Sequence, residues 1–296
     1  MHRTLLLPLF LACTGSTVYL PGTDPGSLPA DVTDPGQPDA RIDPGLPPDP
    51  GQPVCIAANN GRIEASGLPV AVGAAPTFVV NPAGSPIVVD VDGIDTHGKR
   101  LWDFTGLDLP VKAAMGVYPP SGYWFASHFP EATFASPLSA QDTSVLGVYQ
   151  ADDQGVRLMG IASSQESPVQ GRTLLVYDSP VPLFTFPLEV GAVYGAKSSF
   201  KDALLYGVPN AGEEEYTFTV DALGTVKIPA FSLDNTLRIR VEVSQRFVVA
   251  PSPDPIRSVQ YIFVHECMGE VARAASPPGV SDIHFESAKE FRRIGM

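Results

Sequence analysis

Between Leu237 and Ser244 apolar and polar residues alternate without a break. That period of two predicts a half-buried strand, with Leu237, Ile239, Val241 and Val243 inward and Arg238, Arg240, Glu242 and Ser244 on a wet face. The stretches Tyr216 to Val220 and Gly224 to Ile228 predict a hairpin turning through Asp221 to Gly224. Arg246 to Val249 and Ser258 to Val264 predict a second, with Pro251, Pro253 and Pro255 in its loop. Earlier strand patterns fall at residues 78–80, 87–91, 145–150, 156–161, 173–177 and 183–188. Helical spacing is scarce: only Ser281 to Ile294 carries it, with Phe285, Ala288 and Phe291 on one side. Many short strands separated by Gly/Pro turns indicate an all-β fold. The expected form is an antiparallel β-sandwich or jelly roll with a short C-terminal helix. Two packed sub-sandwiches meeting near Ser163 to Gln165 are the alternative.

The pattern breaks down before residue 54. Residues 21–53 hold ten prolines, five glycines, six aspartates and one basic residue, Arg41. Such a stretch buries too little apolar area to offset its ordering entropy, so it reads as a solvated spacer. The Asp-Pro-Gly units at Asp24, Asp34, Asp43 and Asp49 are unevenly spaced and do not form a repeat or converge on a calcium ion. Extended at ~3.1 Å per residue, the spacer reaches on the order of 100 Å.

Ahead of it, Arg3 and the apolar run Leu5 to Ala12 read as a leader, too short to span a bilayer as a helix. Ala12-Cys13 resembles the lipobox of bacterial lipoproteins, with Phe10 and Leu11 standing where leucine and a small residue are usual. The resemblance implies removal of residues 1–12 and lipidation of Cys13. Thr14 stands where aspartate implies inner-membrane retention, so sorting to the outer membrane is implied. Several acyl chains make a firm anchor. A plain secretory signal, leaving the chain periplasmic or secreted, is the alternative. The expected organisation is leader 1–12, lipidated terminus and tether 13–53, β-domain 54–275 and tail 276–296.

Composition narrows the partners. The formal net charge of −13 and pI of about 4.7 disfavour nucleic acid. Setting Cys13 aside leaves Cys55 and Cys267, at the two ends of the β-domain. In an oxidising compartment they are expected to pair, two separate buried thiols being the other possibility. Strand alternation puts Cys267 on the face of Val259, Tyr261 and Phe263.

No catalytic motif stands out. His2, His97, His128, His265 and His284 fit no zinc spacing, and His265-Glu266-Cys267 reads as a structural histidine beside a cysteine. Asp90, Asp92 and Asp95 form a weak metal candidate at a strand end, but their spacing fails the EF-hand pattern and a polar turn is preferred. Glu213-Glu214-Glu215 reads as a solvated turn. Trp102, Tyr118, Tyr123, Trp124 and Phe125 suit core and loop packing, although exposed rings can stack on sugars.

Three elements carry a second resemblance: Gly98 to Thr105 (GKRLWDFT), Phe186 to Gly191 (FPLEVG), and Gly224 to Pro229 leading into Asn235 to Arg240. Together they resemble uncharacterised secreted and surface β-proteins of Gram-negative bacteria, which implies an envelope β-protein and no particular activity. The expected function is therefore an outer-envelope lipoprotein presenting a tethered β-sandwich for binding or structural roles, without catalysis or cofactor. Its partners are the membrane, through lipid, and an unidentified envelope or extracellular protein or glycan. A secreted or surface-anchored hydrolase, acting on glycans, is the alternative.

Overall fold

The computed structural model describes residues 55–68, 70–248 and 254–295. The leader 1–12, Cys13 and the tether to residue 53 lie outside the described residues. So do the loop prolines Pro251 and Pro253.

Twelve strands carry the fold: β1 Thr77–Val80, β2 Val111–Ala114, β3 Phe134–Pro137, β4 Val145–Asp152, β5 Gly155–Ser163, β6 Leu174–Thr185, β7 Val193–Leu205, β8 Val208–Ile228, β9 Phe231–Phe247, β10 Ile256–His265, β11 Gly269–Ala275 and β12 Glu290–Ile294. They form one sheet in the order β2-β1-β12-β11-β10-β9-β8-β7-β6-β5-β4-β3, every neighbouring pair antiparallel. The fold is the expected all-β sandwich, built from one continuous curved sheet with no break near residue 163. The sheet is not closed. Beyond the end of β2, Tyr118 exchanges backbone hydrogen bonds of 2.8 and 2.9 Å with Ala135 of β3.

The sheet's centre is buried on both faces. On β10, Ile262 and Val264 join an inner core with Phe218, Val220, Ile239 and Val241. Val259, Tyr261 and Phe263 join an outer one with Trp102, Phe104, Phe285 and Phe291. Edge-to-face ring contacts of Phe263 with Trp102 and Phe104, at 5.1 and 5.3 Å, fasten the 87–109 segment onto that outer face. A third cluster sets Phe125 and Phe129 over Leu146, Val148 and Ala162.

Three expectations are corrected. The hairpin at residues 216–228 is instead one 21-residue strand, β8, with a bulge at Asp221. Val220 pairs with Ile239 but Ala222 with Arg238, so the bulge swaps faces: Val220 is in the inner core, and Ala222, Val226 and Ile228 are in the outer one. Asp221 to Gly224 forms no turn, because β9 keeps pairing with β8 on one side of it and the parallel Lys99–Asp103 strand takes up the other side from Gly224 on. Second, the supposed wet face of β9 is half covered. Arg238 is buried, donates to Asp221 and to the Val91 carbonyl, and lies over the Tyr261 and Trp102 rings, while Glu242 remains exposed.

Third, the C-terminal helix is absent. Residues 287–288 pair with 87–88, and β12 pairs with β11 and β1. Phe285, Ala288 and Phe291 do share one cluster, but an extended chain brings them there. Asn81 helps hold it, receiving the Phe291 N–H at 2.7 Å and donating to the Lys289 carbonyl at 3.0 Å. Tertiary pairing overrides a helical spacing of only three apolar positions.

Gly224 marks where Lys99–Asp103 joins β8 in parallel. A Cβ at Gly224 would strike the Arg100 carbonyl and the Trp102 ring. Gly224→Val is therefore expected to lower unfolding free energy in urea by about 1–3 kcal/mol through overpacking. Gly122→Ala, facing open space, is expected to change it little.

Candidate functional site: an open lumen with buried charges

The curved sheet encloses a lumen open towards the gap between its ends. A cavity of about 210 Å³ is lined by Phe78, Met115, Val117, Phe134, Phe184 and Met268, among others. It is contributed by both halves of the sheet. A deeper recess of about 30 Å³ continues between Leu158, Val181, Phe218, Val241 and Ile262. Tyr149, Leu183 and Arg273 line both spaces. The walls are apolar because inward positions of the strands alternate with outward ones.

Into this apolar space β11 and β12 bring four charges. Register places Arg273 opposite Arg292 and Ile262, so both guanidiniums sit on the inner face. Arg273 grips Glu270 through Nε and Nη2 at 3.0 and 2.5 Å. Arg292 Nε donates to the other Glu270 oxygen at 2.7 Å, and its Nη1 to Glu290 at 3.1 Å and the Leu138 carbonyl at 2.9 Å. Glu290 also accepts from the Ser139 hydroxyl and the Ala140 N–H. Burial pushes the Glu270 carboxyl up, but Arg273 and Arg292 outweigh it and hold it at about 2. Glu270 thus stays ionised and cannot serve as a proton donor near neutrality.

A second buried acid lies further along β8. Glu214 is buried, not in a solvated turn as expected: β8 runs through the glutamate triplet and alternation turns the middle one inward. The Tyr177 and Tyr216 hydroxyls both donate to one of its oxygens and Gln245 to the other, at 2.7 Å for the last. Burial pushes the Glu214 carboxyl up, and the three hydrogen bonds bring it only part of the way back. An acid raised in the fold contributes stability below its unfolded pKa of about 4.3 that is lost as pH climbs through the folded value. Glu214→Gln, which cannot ionise, is expected to lessen the fall in urea stability between pH 5 and pH 8.

Cys55 and Cys267 form a disulfide with Cα atoms 5.5 Å apart. Cys267 does not continue β10. It sits in the turn to β11 with φ +67°, where strand alternation no longer applies. Its N–H donates to the Gly67 carbonyl at 2.7 Å, and neighbouring Glu266 accepts from the Asn59 N–H at 3.1 Å. His265 is half-buried, and its buried Nδ1 has no hydrogen-bond partner.

The other candidates are spent on local structure. Asp90 accepts from the Asp92 and Gly93 N–H groups and Asp95 from Gly98, while Asp92 pairs with His284 Nδ1 at 2.8 Å. Among the described residues no three His, Cys, Asp or Glu side chains gather for a metal. Trp102 and Phe125 are fully buried, and Trp124 donates to the Ser163 carbonyl at 2.9 Å beneath Arg172. Tyr118 and Tyr123 do line a larger cleft, about 560 Å³, between β2 and the 140–146 segment. That cleft has a more polar lining and no cluster of buried charges, so the lumen is the stronger candidate.

No family model, curated protein or solved structure matches the chain. The site must therefore speak through its own chemistry. Two of the motifs that resemble envelope β-proteins meet in space, since Lys99–Asp103 pairs with Gly224 to Lys227; the third leads into residues 188–189, which pair with Arg62–Ile63. They are joints of the framework and not site residues. The charged quartet was missed in sequence. Its one signal is a charged residue inside an apolar strand, as in Val271-Ala-Arg-Ala-Ala275.

Proposed function

We propose that this chain is an envelope lipoprotein whose β-sandwich serves as a binding module. In this reading Cys13 carries the lipid and residues 14–53 form an acidic tether. The outer membrane holds the anchor, and the domain meets a small ligand, protein or glycan beyond it. The carrying observation is the open apolar lumen with a charged group at its wall, the usual build of a binding site. The Cys55–Cys267 disulfide supports an oxidising compartment. A glycoside hydrolase of the common kind needs a carboxyl poised to donate a proton at a cleft. Glu270 is held ionised and Glu214 is enclosed, so neither supports that reading.

The test is native mass spectrometry of the protein purified from its own cells without detergent exchange. The expected result is a bound small molecule that leaves on denaturation and is lost in Ser136→Trp, which fills the cavity mouth. A bare chain that also fails to bind any member of an amphiphile and glycan panel contradicts the proposal.

A further inference from the structure

The geometry points to a medium-chain carboxylate as the lumen's ligand, its chain along the apolar wall and its head on Arg273. This rests on the binding-module reading and goes beyond it by naming the ligand's chemistry.

Three observations carry it. The first is the lining: the mouth and the small recess share Tyr149, Leu183 and Arg273, and apart from the charged group their walls are mostly apolar side chains. An acyl chain suits such a space, and burying each methylene is worth about 0.8 kcal/mol. The second is charge. Arg273, Arg292 and Glu270 line the cavity, whereas Glu290 is turned away towards Ser139 and Ala140. Glu290 pairs with Arg292, and Glu270 is divided between Arg292 and Arg273, so Arg273 is the less fully compensated of the two guanidiniums at the wall. The third is donor capacity. Arg273 spends Nε and Nη2 on Glu270, but its Nη1 reaches only the Gln260 Oε1 at 3.4 Å, a long bond. A ligand carboxylate offers that nitrogen a shorter, charge-assisted partner. Arg292 is not free to do the same, because Glu270, Glu290 and the Leu138 carbonyl already hold it.

The experiment is isothermal titration of the full-length protein with decanoate and with decanol, which shares the chain and lacks the charge. Decanoate is expected to bind one per chain, about tenfold or more tighter than decanol, since a hydrogen bond to a charged group carries that much. In Arg273→Gln the two should bind alike. Ser136→Trp should abolish both. Equal affinity of the two probes for the parent protein overturns the carboxylate assignment while leaving a binding lumen. Absence of binding by either overturns the assignment and removes the lumen as an amphiphile site. The comparison of probes on the parent protein holds even where a variant fails to fold.

Discussion

Replacing Cys55 and Cys267 together by alanine is expected to lower unfolding free energy by up to about 5 kcal/mol. The cysteines are 212 residues apart, so the bridge closes a loop that spans nearly the whole domain. Its effect falls chiefly on the unfolded chain, which loses the freedom to separate its two ends. In the fold, the bridge pins the first described residue to the β10–β11 turn. Beside it the Cys267 N–H donates to the Gly67 carbonyl and the Asn59 N–H to Glu266, and from residue 62 on the segment is also held by the Arg62–Ile63 pairing and the buried Ile63 side chain. Without the bridge, residues 55–61, which precede the Arg62–Ile63 pairing, are expected to fray first. Urea titration with and without reductant checks both points. The parent protein should shift its midpoint on reduction and the double variant should not. A double variant as stable as the parent would mean that the loop costs the unfolded chain little.

Arg292→Met is expected to cost about 3–5 kcal/mol, because removing one member of a buried charge network strands the others. Arg292 is the shared partner of Glu270, which is half-buried at the cavity wall, and of Glu290, which is nearly excluded from water. Arg273 can still hold Glu270, so Glu290 is the charge left uncompensated. Replacing Arg292 and Glu290 together, by Met and Gln, should recover much of the loss. The network also sets the acid limit of the fold. Glu270 is depressed in the folded state, so its contribution is complete above the unfolded value of about 4.3 and is lost as pH falls. With the folded value at about 2, the loss runs from about pH 5 down to about pH 2. Glu270→Gln should flatten the stability profile over that interval. Its effect is opposite in direction to that of Glu214, whose contribution is lost as pH rises.

The strands most legible in sequence were those with simple surroundings. Val145 to Gln150 and Val156 to Ile161 lie in β4 and β5 as the alternation and turn residues predict. The strand β7 gave no such signal: its Gly-Ala-Lys-Ser-Ser stretch has low strand propensity and is held by the ladder to β8. Reading Arg238 and Glu214 as exposed failed for a shared reason. Alternation tells which residues share a face, but not whether a second layer covers that face or curvature encloses it. The 87–109 segment covers Arg238, and the sheet's own curl encloses Glu214. The disulfide was legible because two leftover cysteines at the ends of a domain leave few pairings. The lumen was not, since it arises from strands far apart in sequence, and no local pattern marks the residues that line it.

The proposed anchor is Cys13, which would hold this domain at a membrane outside the reducing interior. Mass spectrometry of the mature N-terminus tests it most directly. The account predicts a chain that begins at Cys13 and carries a diacylglyceryl group on its sulfur and an acyl group on its amine. A mature chain that begins elsewhere, or an unmodified Cys13, would contradict it.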